Sequence, residues 1–329
     1  MGIRSLVVWI LAPCVALAVV SGCGGVQPLS ESTNAVSESA TAALRSDRKF
    51  SRMLSASKSS ALLYVASGGN QSVYVYSYPL GELVSMLTGF SDPSSLCSDT
   101  HGDIFVTDFS NQDIVEYAHG GTSPIATLSD SGYGPYSCSS DPTTGNLAVA
   151  NYSTYEGGSS AGNIAVYTNA QGEPTDYADS EMWRYFNCGY DNKGNLFLDG
   201  LDDTQHSVFA ELPKGSGTFA NLSVPFYNPG PIQWDGKYLA VATTPASGDS
   251  EIYHLKVSGS EVTVEGATSI RWGKHRVSVN GFWIGGRRVV GTLNSGHTGF
   301  WRYPAGGRLT KRLPYYSDAR GVTVSFPNQ

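Results

Sequence analysis

A seven-residue frame, with an apolar residue at its fourth position and usually aspartate at its seventh, recurs along this chain. Its copies run from Pro93 to Asp99, Pro135 to Asp141, Tyr185 to Asp191, Pro229 to Asp235, a weaker one from Lys274 to Asn280, and Ala319 to Ser325. A glycine follows in most copies (Gly102, Gly145, Gly194, Gly236 and, after a longer insertion, Gly286), which suits a tight hairpin. Second strands are predicted at Ile104 to Thr107, Leu147 to Ala150, Leu196 to Asp199, Tyr238 to Ala242 and Val289 to Leu293. Third strands alternate at period two and end in Tyr or Leu: Val73 to Tyr76, Ile114 to Tyr117, Ile164 to Tyr167, Val208 to Leu212, Ile252 to Leu255 and Phe300 to Tyr303. Leu83 to Leu87 and Pro124 to Leu128 are plausible outer strands. A repeat of about 40 to 50 residues carrying such strands has the period of propeller blades. The expected fold is all-β, a six-bladed β-propeller of four-stranded blades.

The two ends of the repeat region complete each other. Leu62 to Ala66 reads as a second strand without its own first strand, and Gly321 to Phe326 as a first strand without the rest of its blade. The C-terminal strand is therefore expected to sit innermost in the N-terminal blade, closing the ring and removing its open edges.

The pattern Pro93-x-x-Leu96-x-x-Asp99, then Gly102-Asp103-Ile104-Phe105-Val106-Thr107-Asp108, then Ile114-Val115-Glu116-Tyr117 resembles the NHL-type repeat, also met in TolB-like six-bladed propellers. The resemblance covers nearly all of Leu62 to Phe326, and blade six, with the weaker frame from Lys274 to Asn280, departs from it. It implies the six-bladed fold. Families of this architecture include ligand-binding and scaffold propellers, gluconolactonase-type hydrolases and virginiamycin B lyase, among which the fold alone does not choose.

Upstream of the repeats the material changes. Arg4 and the apolar run from Leu6 to Val20 read as a targeting signal, and Val20-Ser21-Gly22-Cys23 resembles the bacterial lipobox. The expectation is a signal peptide over residues 1–22, lipidation at Cys23 with a palmitate-type anchor, a flexible tether through residue 60, and the propeller over 61–329. Gly24 to Ser60 is rich in Ser, Ala, Thr and Glu and shows no strand alternation, as a tether would. Gly24 after the cysteine favours the outer membrane in a cell that has one. The expected location is the bacterial cell envelope, periplasmic or surface-exposed. A formal charge of -7 with no block of Lys or Arg argues against nucleic acid as a partner.

Cys97, Cys138 and Cys188 remain once Cys14 and Cys23 are assigned to the signal and the lipid. All three fall in predicted innermost strands, and the odd number argues for small buried hydrophobes rather than a disulfide framework. Cys138 and Cys188 share the fourth position of their frames, and a bond between equivalent positions of neighbouring blades is geometrically tight.

Chain direction places the segment before each first strand and the loop after each second strand on one face. The first set is aromatic: Phe90, Tyr133, Tyr136, Trp183, Tyr185, Phe226, Tyr227, Trp272, Tyr315 and Tyr316. The second is polar: Asn70 with Gln71, Asp108 with Asn111, Asn151 with Tyr155, Asp199 with Asp202 and Asp203, Asp249, and Asn294 with His297. Aromatic rings rimmed by amides and carboxylates suit sugars or extended peptides. The competing expectation is structural, with the aromatics wedged between blades and the Asp and Asn residues capping loop N–H groups.

Two loops depart from the repeat, Asp199 to Gln205 and the Glu156-Gly157-Gly158 insertion within Tyr152 to Gly162. Asp199, Asp202 and Asp203 lack the spacing of a calcium loop, so no cofactor is expected, with a divalent cation such as calcium kept as a minor alternative. Six His residues show no paired metal spacing, and no Gly-x-Ser-x-Gly stands in the strand-to-helix context of a nucleophile elbow. His206 and His297 are possible acid or base groups by loop position alone. The reading that results is a lipid-anchored binding or scaffold module for an envelope protein, peptide or glycan. Its alternative is a channel-centred hydrolase of the gluconolactonase type, or a lyase.

Overall fold

The computed structural model describes residues 59–155, 160–226, 228, 230–243 and 249–327. Six antiparallel sheets form the blades of a β-propeller. Blade 1 is ordered Ala319–Ser325, Leu62–Ser67, Ser72–Ser77, Leu83–Thr88, so the last strand of the chain is innermost and the ring closes as expected. Blade 2 runs outward as Pro93–Ser98, Ile104–Asp108, Asp113–Tyr117, Ala126–Ser129, and blade 3 as Tyr133–Ser140, Leu147–Thr154, Ala161–Tyr167, Thr175–Tyr177. Blade 4 is Arg184–Tyr190, Leu196–Leu201, Ser207–Leu212, Ala220–Asn221. Blade 5 is Ile232–Trp234, Leu239–Thr243, Ser250–Ser258, Glu261–Arg271, with Gly307–Arg308 added in parallel at its rim. Blade 6 is Val279–Gly285, Arg288–Leu293, Thr298–Arg302, Lys311–Arg312. Thr168–Ala170 is the one helical turn among the described residues.

The core is divided among the six gaps between neighbouring blades. Side chains alternate across a strand, so one strand feeds two gaps. Leu62, Tyr64 and Ala66 pack toward blade 2, while Leu63 and Val65 pack toward blade 6. This explains why second strands such as Leu62–Ser67 are buried along their whole length and read as continuous apolar runs.

The aspartate at the seventh frame position holds the turn to the second strand. The Asp99 carboxylate accepts the N–H groups of His101 and Asp103, that of Asp191 accepts those of Lys193 and Asn195, and that of Asp235 accepts those of Lys237 and Tyr238. These are side-chain turns of the kind short carboxylates form with the backbone two to four residues on. Gly102 in the first of them has φ +87, and a Cβ there would meet the carbonyl oxygen of Phe326 at 2.1 Å. The turn of blade 2 thus leaves room for the closing strand, whose Ser325 hydroxyl donates to the Gly102 carbonyl.

Two expectations are corrected. The first strand of blade 6 is Val279–Gly285, not Lys274 to Asn280. Phe282 faces Gly291, as Leu96 faces Val106 and Cys188 faces Leu198, and like them it packs toward the preceding blade, so Phe282 and not Val277 holds the fourth position. The spacing of Val277 and Val279 imitates a strand, whereas the tight Gly286-Arg287 turn directly follows the true one, and no insertion intervenes.

The second correction concerns cysteine. Cys97 and Cys138 form a disulfide, with Cα atoms 5.7 Å apart, and Cys188 is the buried free thiol among the described residues. Cys138 packs toward blade 2 and Cys188 toward blade 3, both turned to the preceding blade, so they do not face each other. Cys97 stands one residue beyond the fourth position. That single step reverses its side chain, turning it away from the gap that Leu96 fills and toward blade 3.

Candidate functional site: the mouth of the central channel

The innermost strands start at one end of the channel, and there they leave an open cavity of about 480 Å³. Its lining comes largely from the second and third positions of the aligned frames: Ser94 and Ser95, Tyr136 and Ser137, Asn187, and Arg320. Asp92, Phe109, Tyr152, Asn280, Asn294 and Asp318 complete it. A second cavity of about 330 Å³ opens at the far end, between the Cys97–Cys138 pair, Tyr190, Trp234 and Trp283.

One wall of the mouth is aromatic. Tyr152 lies 6.4 Å from Phe109, 6.0 Å from Tyr136 and 5.4 Å from Phe186, ring centre to ring centre. Tyr136 also meets Phe186 edge-on at 5.7 Å. The Arg184 guanidinium lies 4.7 Å above the Tyr152 ring. The adjoining wall is ionic, joined to the first where the Phe109 N–H donates to the Asp92 carbonyl at 3.0 Å. Arg320 Nη1 meets Asp92 Oδ1 at 2.9 Å, while its Nη2 and Nε both reach Asp318 Oδ2 at 2.6 Å.

Of the sequence-derived candidates, Tyr136 and Asn294 line this cavity. Tyr136 is 36% exposed, and the Asn294 side-chain oxygen accepts the N–H of Ser278. Asp108 stands just behind the wall and works as a cap. Its two carboxylate oxygens take the N–H groups of Ser91 and Asp92 at 2.7 Å each, which sets the loop that carries Asp92 to the cavity.

Asp199 is buried behind Asn187. It accepts the Asn187 backbone and side-chain N–H groups at 3.1 and 2.9 Å and the N–H of Gly230 at 2.7 Å. Burial raises its carboxyl to about 7, and those three donors oppose the rise. Asp199 faces Asn187, whereas Asp108 and Asn151 face Pro93 and Pro135, so Asp199 stands one residue off their register. Its oxygens are taken there, and Asp202 instead caps its own turn through Thr204 and His206. Among the described residues no group of three or more His, Cys, Asp and Glu is gathered as a metal cradle.

Other candidates serve the gaps between blades or their rims. Tyr185 is fully buried and its hydroxyl is tied to the backbone of Asp179. Tyr316 stacks on Tyr74 with ring centres 3.7 Å apart, and its hydroxyl is bonded to that of Tyr76. Trp272 is buried between Trp301 and His297, with the Arg312 guanidinium 4.6 Å above its ring. Tyr133 and Trp183 are half-buried and do not line the mouth. His206 sits on an exposed turn against Asp202 and Thr204. Cys23, Glu156 and Tyr227 lie outside the described residues.

Asn151 belongs to a buried polar cluster. Its side-chain nitrogen donates to Asp130 at 3.2 Å and to Asn163 at 2.7 Å. Burial raises the Asp130 carboxyl to about 7, with the Asn151 bond opposing. Asp130 Oδ2 and Asn151 Oδ1 have no protein partner.

The mouth residues that sequence reasoning passed over, Phe109, Tyr152, Asn187, Asp92, Asp318 and Arg320 foremost, left one trace. At the second position of frames whose fourth position is always apolar stand residues as different as Ser94, Tyr136, Phe186, Asn280 and Arg320, a variation the repeat itself does not need.

No family model and no curated relative matches this chain. Solved structures do match. The crystal structure of a nidogen/laminin complex includes a chain similar over 82% of this one and 100% of its own length, with TM-score 0.63 and 12% identity. A protein of unknown function from Bacteroides caccae aligns over 81% of this chain and 99% of its own, with TM-score 0.60 and 12% identity. The β-propeller domain of Myceliophthora thermophila Cps50 (Swd1) aligns over 77% and 84%, with TM-score 0.53 and 11% identity. At such identities the likeness is one of fold. This protein is a six-bladed β-propeller with an aromatic and ionic channel mouth.

Proposed function

We propose that this propeller is a lipid-anchored module of the bacterial cell envelope that binds a ligand at its channel mouth. The partner is an envelope protein, peptide or glycan. The observation that carries the reading is the mouth itself, a cavity of about 480 Å³ with an aromatic wall beside a polar one, inside the size range of ligand sites. The lipobox-like Val20-Ser21-Gly22-Cys23 supports the anchor, and the resemblance of the repeat to the NHL type supports a likeness to TolB-like propellers. Among the described residues no helix is long and apolar enough to cross a membrane.

The enzyme reading has one observation in its favour, the carboxyl of Asp199 raised to about 7 one layer behind the mouth. Three N–H donors already occupy that carboxylate, which favours a structural role. Two experiments test the proposal. Cys23→Ser should move the protein from the membrane to the soluble fraction, and unchanged partitioning would refute the anchor. Affinity capture from envelope extracts should lose its partner in Tyr136→Ala; capture indifferent to that change would remove the mouth as the binding site.

A further inference from the structure

Resting on that reading of the mouth, we infer that its ligand is a short, neutral saccharide. The argument begins with charge. The mouth holds two carboxylates, Asp92 and Asp318, and both are satisfied by one guanidinium, that of Arg320. Arg184 brings a second guanidinium over Tyr152, so the positive and negative groups around the opening balance. A charged ligand would have to break one of these internal pairs and lose its own hydration. A neutral one keeps the pairs intact and uses the lone pairs they leave.

Those lone pairs are the second element. Asn280 spends its side-chain N–H₂ on the Ala319 carbonyl at 2.9 Å, and Asn187 spends its own on Asp199, which leaves each amide an oxygen to offer. Asp92 uses Oδ1 on Arg320, and Asp318 uses Oδ2, so each retains the other oxygen. The polar wall therefore offers four acceptor oxygens and, from Asn294, whose oxygen is taken by Ser278, an N–H₂ donor, which suits a ligand rich in hydroxyl groups that both donate and accept. Beside it stands the wall of Phe109, Tyr136 and Tyr152, with Phe186 packed against Tyr152 and Tyr136 at 5.4 and 5.7 Å. Its faces can cover the C–H face of a sugar ring at little cost in side-chain entropy. Hydroxyls along one edge and apolar C–H groups on one face are what a pyranose presents together.

The test is isothermal titration of the full chain in detergent with a panel of short oligosaccharides, neutral, amino-bearing and uronic-acid-bearing, and with basic and acidic peptides. A neutral member should bind, and Tyr136→Ala and Asp318→Asn should each weaken it by about tenfold with an unchanged melting temperature. Preference for a charged sugar or a peptide, lost in the same variants, would overturn the ligand class and leave the mouth as the site. Binding indifferent to both variants, or no binding by any panel member at millimolar concentration, would overturn the inference. In the second case, loss of envelope capture in Tyr136→Ala would still support the mouth.

Discussion

Arg320 of the closing strand and Asp92 of the loop leading into blade 2 face each other across the seam of the ring, Nη1 to Oδ1 at 2.9 Å. The pair joins the last strand of the chain to a blade built far earlier in the sequence, and it lies in the wall of the mouth. Arg320→Met should lower stability by about 1 to 2 kcal/mol, because it leaves two part-buried carboxylates side by side without their cation. Arg320→Met combined with Asp92→Asn should recover part of that loss. Urea unfolding of the single and double variants measures the coupling, and additive losses would show that the pair contributes nothing.

The closing strand is expected to be indispensable. Ala319–Ser325 pairs with the whole of Leu62–Ser67 but for a bulge near Val65, and Val322 and Val324 are buried in the gap to blade 6. Removing residues 319–329 would expose that gap and both edges of the seam. The truncated chain should be recovered insoluble or without a cooperative melting transition. A soluble truncate that unfolds cooperatively would show that the ring is held without its last strand.

The Cys97–Cys138 disulfide closes a loop of 41 residues, a span for which chain-entropy arguments give about 4 kcal/mol. Cys97→Ser with Cys138→Ser should therefore lower stability by roughly 2 to 4 kcal/mol, and reductant should do the same to the parent and nothing to the double variant. Non-reducing peptide mapping should recover residues 97 and 138 on linked peptides and Cys188 as a free thiol. A Cys138–Cys188 linkage would contradict the side-chain directions described above.

Burial holds the Asp130 carboxyl at about 7, well above the 3.8 of an exposed aspartate. Between these values the folded chain binds more protons at this site than the unfolded chain, so its contribution to stability falls as pH rises. The penalty is absent below about pH 4 and complete above about pH 7. Asp130→Asn keeps the acceptor for Asn151 and removes the charge, so it should gain roughly 2 kcal/mol over the parent at pH 8 and nothing at pH 4. Thermal melts of both across that range test it, and a pH-independent difference would place the effect elsewhere.

Much of the architecture was legible because its causes are local. Pro93-x-x-Leu96-x-x-Asp99 carries its own strand, its own buried position and its own turn, since Asp99 binds the N–H groups two and four residues on. Blade 6 misled because Val277 and Val279 have strand spacing, whereas Phe282 meets its neighbour Gly291 only once the hairpin is formed. The site was less legible. Tyr185 and Trp272 carry the same aromatic signal as Tyr136, yet the first two fill gaps between blades and the third stands in the opening. Whether a ring faces solvent or a neighbouring blade depends on a strand that lies elsewhere in the sequence.

From sequence alone came the period of the repeat, the number of blades, the order of strands within each blade and the closure of the ring by the C-terminal strand. These depend on alternation and turn chemistry, which act within a few residues. Only the folded ring decided that Cys97 meets Cys138 and not Cys188. The ring also brought Arg320 to Asp92, and Phe109, Tyr136 and Tyr152 into one wall. Each of these contacts joins different strands or blades, and a one-residue step along a strand turns a side chain to the opposite gap, so they exist only once the circle of blades sets which face meets which.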